Sequence, residues 1–111
     1  MYQVRQGDVF LEQIDGRKLP KSKMKKLSTN LVAEGEFSDH VHVVEGDVEL
    51  FELNGTLFVA VGSDGATLEH KNLKTGKEAD HKPISLPKGT HKVTIQREYN
   101  AFTGGYERVW D

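Results

Sequence analysis

Five histidines, His40, His42, His70, His81 and His91, are the side chains whose type and spacing point most directly to chemistry. In a β-strand, residues two apart share a face, so His40 and His42 project together with Val44 and form a two-pronged imidazole site. His70 falls in phase with Ala66 and Leu68, the apolar set that should point inward, and His91 in phase with Val93 and Ile95. His81 stands just before Pro83, at the entry to a strand. Neutral imidazoles converging from separate strands can bind Zn²⁺, Fe²⁺, Mn²⁺ or Ni²⁺ at about 2.0–2.2 Å and leave a coordination position open. The expected ligands are His40, His42, His70 and His81. Glu34, Glu36, Asp39 and Asp80 lie near them in sequence and could complete the shell or accept a ring N–H. The plainer alternative is a set of half-buried strand histidines, each with its second nitrogen satisfied.

The elements that must carry these rings read as strands. VFLEQI follows a Gly7-Asp8 turn, STNLVAE spans Ser28 to Glu34, and HVHVV spans His40 to Val44. DVELFEL and TLFVAV flank Asn54-Gly55, the preferred sequence of a two-residue type I′ hairpin. Ser63-Asp64-Gly65 reads as a further turn, followed by a strand over Ala66 to Lys71 and a polar loop over Asn72 to Asp80. Pro83 and Pro87 argue against a central strand in HKPISLPKG, whereas THKVTIQREY alternates strongly, and a last strand is expected over Tyr106 to Trp110. The fold class is therefore all-β: a small antiparallel barrel or sandwich of seven or eight short strands.

Length and composition suit one domain over residues 1–111, with 36% hydrophobic and 29% charged residues. Arg17, Lys18, Lys21, Lys23, Lys25 and Lys26 crowd a stretch without acids. With Pro20 inside and no helical period, residues 17–27 read as an exposed basic loop, with a short helical turn around Ser22 to Lys26. The net charge is −2, and the basic stretch holds no aromatic residue to stack a base, so nucleic acid is not the expected partner. There is no cysteine, which excludes thiolate zinc sites and disulfides. No apolar run marks a signal peptide or membrane span, and the chain reads as cytoplasmic, or as part of a virion if phage-encoded.

GEFSDHVHVVEG resembles a loose first cupin motif and LPKGTHKV the second, although Gly35 lies one residue too close to His40 and His91 is displaced by one. Such a slip turns a strand side chain to the other face, so the likeness implies architecture alone. Over nearly the whole chain RQGDVFL, LVAEGEFSDHVH, ELFELNGTLFVAV, ATLEH, HKPISLPKGTHKV and QREYNAF resemble a family of small bacterial and phage-encoded proteins. That family typically carries Gly-His-x-His at Asp39-His40-Val41-His42 and Tyr at His91. By the resemblance His40, His42, His70 and His81 match the motif, and no particular activity is implied.

Other constellations carry less. Arg97 and Tyr99 share the face of His91 and could clamp an anion, but an arginine paired with a carboxylate fits as well. Ser38 and Ser85 lie near histidines without a nucleophile-elbow pattern, and no phosphate-cradling glycine motif is present. The expected function is divalent-metal binding through clustered histidines. The alternative is a non-enzymatic structural or protein-interaction module, such as a phage accessory or virion component, in which strand edges and the basic loop mediate assembly with a protein partner. Small β-domains also close exposed edges by self-association, so a homo-oligomer is the expected assembly.

Overall fold

Asn54 and Gly55 both adopt positive φ, 50° and 82°, and reverse the chain between two long strands. This is the I′ hairpin expected from the dipeptide, because its twist matches that of the flanking strands. The computed structural model describes residues 2–34, 39–79, 81–95, 97–100 and 105–108. Its strands are β1 (Gln3–Gln6), β2 (Val9–Ile14), β3 (Lys25–Leu27), β4 (Leu31–Glu34), β5 (His40–Leu53), β6 (Thr56–Asn72), β7 (Ile84–Leu86), β8 (Gly89–Ile95), β9 (Arg97–Asn100) and β10 (Gly105–Arg108). All pairings among the described residues are antiparallel, in the order β1-β2-β8-β6-β5-β3, with β4 added to β5 and β7 to β6. β9 and β10 pair separately. Among the described residues the path has two ends, β1 and β3, so the sheet is open.

The β5–β6 hairpin is the spine, and it changes neighbours halfway along. Its tip half lies between β3 and β8, while its base half lies between β4 and β7. The change occurs where the register jumps from Gly46↔Ala66 to Val48↔Val61, leaving Asp47 opposite residues 62–65. Gly46 has φ 113°, and a Cβ there would stand 2.8 Å from the Gly65 carbonyl oxygen, so a side chain is excluded where the two backbones close up. Across the bulge the Asp64 N–H donates to the Asp47 carboxylate at 3.2 Å.

Three expectations change accordingly. HVHVV and DVELFEL are one strand rather than two, because the bulge absorbs Gly46-Asp47 without ending the ladder. Ser63-Asp64-Gly65 does not reverse the chain but forms the wide side of the same bulge within β6. The basic stretch is not all loop: it makes two 3-10 turns, Gly16–Lys18 and Lys21–Lys23, and ends as β3 against β5. The last strand, expected over Tyr106 to Trp110, already pairs at Gly105, and positions 109 and 110 lie outside the described residues.

Alternation fills the core. In β2 Val9 and Leu11 are buried while Phe10 and Glu12 are partly exposed, and in β8 His91 and Val93 are buried while Lys92 and Thr94 are exposed. Val9, Leu11 and Val93 join Val44, Leu50, Val59 and Leu68 in one apolar cluster. Each buried Leu contributes about 1.5–3 kcal/mol relative to exposure. At the edge of this core the Tyr2 hydroxyl donates to the Ser85 carbonyl oxygen at 2.7 Å, tying the start of the chain to β7.

Two outcomes test these assignments. A Cβ on Gly55 would meet nothing within 4 Å, so Gly55→Ala carries only the left-handed backbone penalty; urea unfolding should show a loss of about 1–2 kcal/mol. Burial pushes the Tyr2 hydroxyl up from its ordinary value. Its contribution is therefore complete below about pH 10 and is lost as pH rises through the higher folded value. Tyr2→Phe should cost about 1 kcal/mol at neutral pH and flatten that alkaline loss in pH-dependent melts.

Candidate functional site

The antiparallel register sets His42 of β5 directly opposite His70 of β6, and His40 opposite Asn72. Directly paired strand residues bring their Cβ atoms to about 5 Å, and here the two rings stack with centroids 4.4 Å apart and planes within 5°. His40 meets His70 edge-on at 5.3 Å, and His81 lies tilted against it at 5.1 Å. The four histidines expected to act together are thus gathered around His70. His42 and His70 are fully buried, whereas His40 and His81 are partly exposed.

Two polar residues from the β1–β2 turn close the cluster from below. Gln6 pairs with Val9 across the two-residue turn Gly7-Asp8, and both Gln6 and Asp8 are buried, at 2% and 1% exposure. The Gln6 amide nitrogen donates to the carbonyl oxygens of Leu68 at 3.0 Å and Lys82 at 2.9 Å. Its Oε1 therefore faces His42 Nδ1, at 2.8 Å, and an oxygen there can only accept. Hence His42 Nδ1 carries the proton, and in the neutral ring Nε2 carries the lone pair. That nitrogen lies 3.7 Å from Asp8 Oδ1.

His70 has the opposite tautomer. The His81 backbone N–H donates to His70 Nδ1 at 3.2 Å, which places the proton of the neutral ring on Nε2. Lone pairs lie in ring planes, so an ion in the plane of His42 would sit a stacking distance away from the plane of His70. Among the described residues, no group of three or more His, Asp or Glu side chains is arranged to hold a metal ion. The segment after β6 folds back over the cluster: the Ala79 N–H donates to the His70 carbonyl at 2.7 Å, and the Leu73 N–H to that of Asp39 at 2.6 Å.

The remaining expected groups lie elsewhere. His91 Nε2 donates to the Pro87 carbonyl at 3.0 Å, and its ring stands edge-on to Tyr2 at 5.9 Å. Among the described residues His91 Nδ1 is buried without a hydrogen-bond partner. Asp39 pairs with Lys74 at 3.3 Å, and Glu34 is exposed on β4. Ser85 is exposed; Glu36, Ser38, Asp80 and the side chains of Arg97 and Tyr99 lie outside the described residues. Gln6 and Asp8 were not foreseen, because a Gly-Asp turn flanked by polar residues has the pattern of an ordinary surface hairpin.

Residues 5–96 match a family model described as "Domain of unknown function (DUF8820)". No curated protein and no solved structure matches the chain. Among the described residues no helix is long and apolar enough to cross a membrane.

Gln6→Leu would strip acceptor and donor together from a buried knot. Unfolding should show a loss of about 1–3 kcal/mol, and ¹⁵N spectra should show His42 as the Nδ1–H tautomer in the wild type, but not in the variant.

Proposed function

We propose that this chain, which belongs to the DUF8820 family of domains of unknown function, binds a divalent metal ion at Asp8 and His42, with His40 and His81 closing the site. One observation carries the reading: Gln6 fixes the His42 tautomer so that Nε2 is the donor, 3.7 Å from a buried carboxylate oxygen. Two ligands that each bind an ion at about 2.1 Å, at angles between tetrahedral and trigonal, stand about 3.4–3.6 Å apart. A hydrogen bond from the far ring nitrogen to an amide oxygen is also the support that orients metal-binding histidines. A mixed nitrogen and carboxylate pair suits Zn²⁺, Mn²⁺, Fe²⁺ or Ni²⁺.

In this reading His70 is the platform on which His42 stacks, and its own donor stays with the His81 amide. His40 and His81 are the partly exposed residues beside it, and in this reading their rings turn toward the ion on binding. Water would complete the shell, leaving a position for a small molecule.

Titration of tag-free protein by calorimetry and elemental analysis should find one equivalent of ion. Ion at about 100 times its Kd should raise stability by about 2.7 kcal/mol. Asp8→Asn and His42→Ala should each abolish stoichiometric binding, Gln6→Leu should weaken it about 10–100-fold, and Asp39→Asn should leave it unchanged. Affinity should fall toward acid pH, because ligating imidazoles must be neutral. Substoichiometric metal in the wild type at saturating ion would end this assignment.

A further inference from the structure

β3 (Lys25–Leu27) is one end of the strand path and, among the described residues, is paired on one side only, to Leu50–Glu52 of β5. Its other edge presents main-chain donors and acceptors that a further strand could take up. The segment leading into it is ordered. Asp15 accepts the Arg17 N–H at 3.1 Å and caps the first 3-10 turn, and Leu19 and Met24 line a small apolar recess with Phe51, Ala60 and Thr90. Anchoring these apolar residues inward leaves Arg17, Lys18, Lys21, Lys23, Lys25 and Lys26 exposed.

Two of the six are already paired, Arg17 with Asp15 at 3.0 Å and Lys26 with Glu49 at 3.5 Å. Lys18, Lys21, Lys23 and Lys25 have no ion pair among the described residues. The open strand edge thus carries Lys25 and follows directly on Lys23, neither of them ion-paired among the described residues.

The charges also select the partner. Pairing β3 with β3 of a second copy would set lysines against lysines, and pairing it with β1, the other end of the path, would bring those lysines toward Arg5. Self-association through this edge is therefore disfavoured. A nucleic acid would meet phosphate-binding lysines but no aromatic ring between residues 16 and 30, and the rest of the chain carries an excess of carboxylates. An extended acidic peptide matches both features. Its backbone would extend the ladder and its carboxylates would meet the lysines.

We propose that the outer edge of β3 and the lysines preceding it form a docking site for an acidic, extended segment of another protein, which adds to the sheet as a strand. The site is independent of the ion site. The test is fluorescence anisotropy in EDTA at about 20 mM salt, where surface charges act over a long Debye length. The probes are a labelled alternating Glu-Val peptide of about twelve residues and an alternating Glu-Pro peptide of equal charge, which cannot supply ladder donors at each proline. The Glu-Val peptide should bind, and the Glu-Pro peptide should bind at least about tenfold more weakly. Lys18→Gln, Lys21→Gln, Lys23→Gln and Lys25→Gln combined should weaken Glu-Val binding by a similar factor, with circular dichroism confirming an intact fold. Equal binding of the two peptides, no binding of either, or unchanged binding by the combined variant would overturn the proposal. So would a short DNA duplex that binds more tightly than the Glu-Val peptide.

Discussion

The register between β5 and β6 is the constraint on which the site depends. Because side chains alternate with a period of two, pairing His42 with His70 sets two imidazoles on one face at stacking distance, and a slip by one residue would place one of them on the other face. The hairpin is pinned at its tip by the Asn54-Gly55 turn and interrupted at Gly46 by a bulge that lets the strands continue. A bulge adds local twist and bend to a ladder, which accounts for a single hairpin serving two sets of neighbours: β3 and β8 at the tip, β4 and β7 at the base. The histidines sit in the base half, where Val41, Val43 and Val44 are all buried.

Around that stack the protein keeps an unusual amount of polarity out of water. Gln6 is the centre of this arrangement, since its amide joins the main chain of β6, the main chain at Lys82 and the ring of His42. Such networks stabilise only when each member is satisfied, and removal of one member exposes the others to the full desolvation cost. Opposite tautomers in two stacked rings are a consequence of this wiring: one ring donates through Nδ1 to an amide oxygen, the other accepts at Nδ1 from a main-chain amide. The same wiring holds the segment after β6 over the cluster, so the site and the loop that covers it are one structural unit.

How far this could be read in advance varied with the range of the interaction. The tip of the hairpin was legible because Asn-Gly carries its own backbone preference, and the inward phase of His70 and His91 was legible from alternation with Leu68 and Val93. The continuity of β5 and β6 was not, because Gly46-Asp47 and Ser63-Asp64-Gly65 each have turn composition, and only their lying opposite one another makes them a bulge. The end of the basic stretch was read as loop for a similar reason: three residues with two lysines show no strand pattern until β5 lies beside them.

The amino-acid sequence by itself determined the β class, the hairpin and which face each strand histidine takes, since these follow from turn chemistry and a two-residue period over neighbouring positions. Only the tertiary structure decided which histidines meet, which nitrogen of each ring carries the proton, and that Gln6 and Asp8 lie beneath them. Those outcomes rest on contacts between different strands and turns, as between Gln6 and His42, 36 positions apart, where no local preference acts and the packing of whole strands sets the partner.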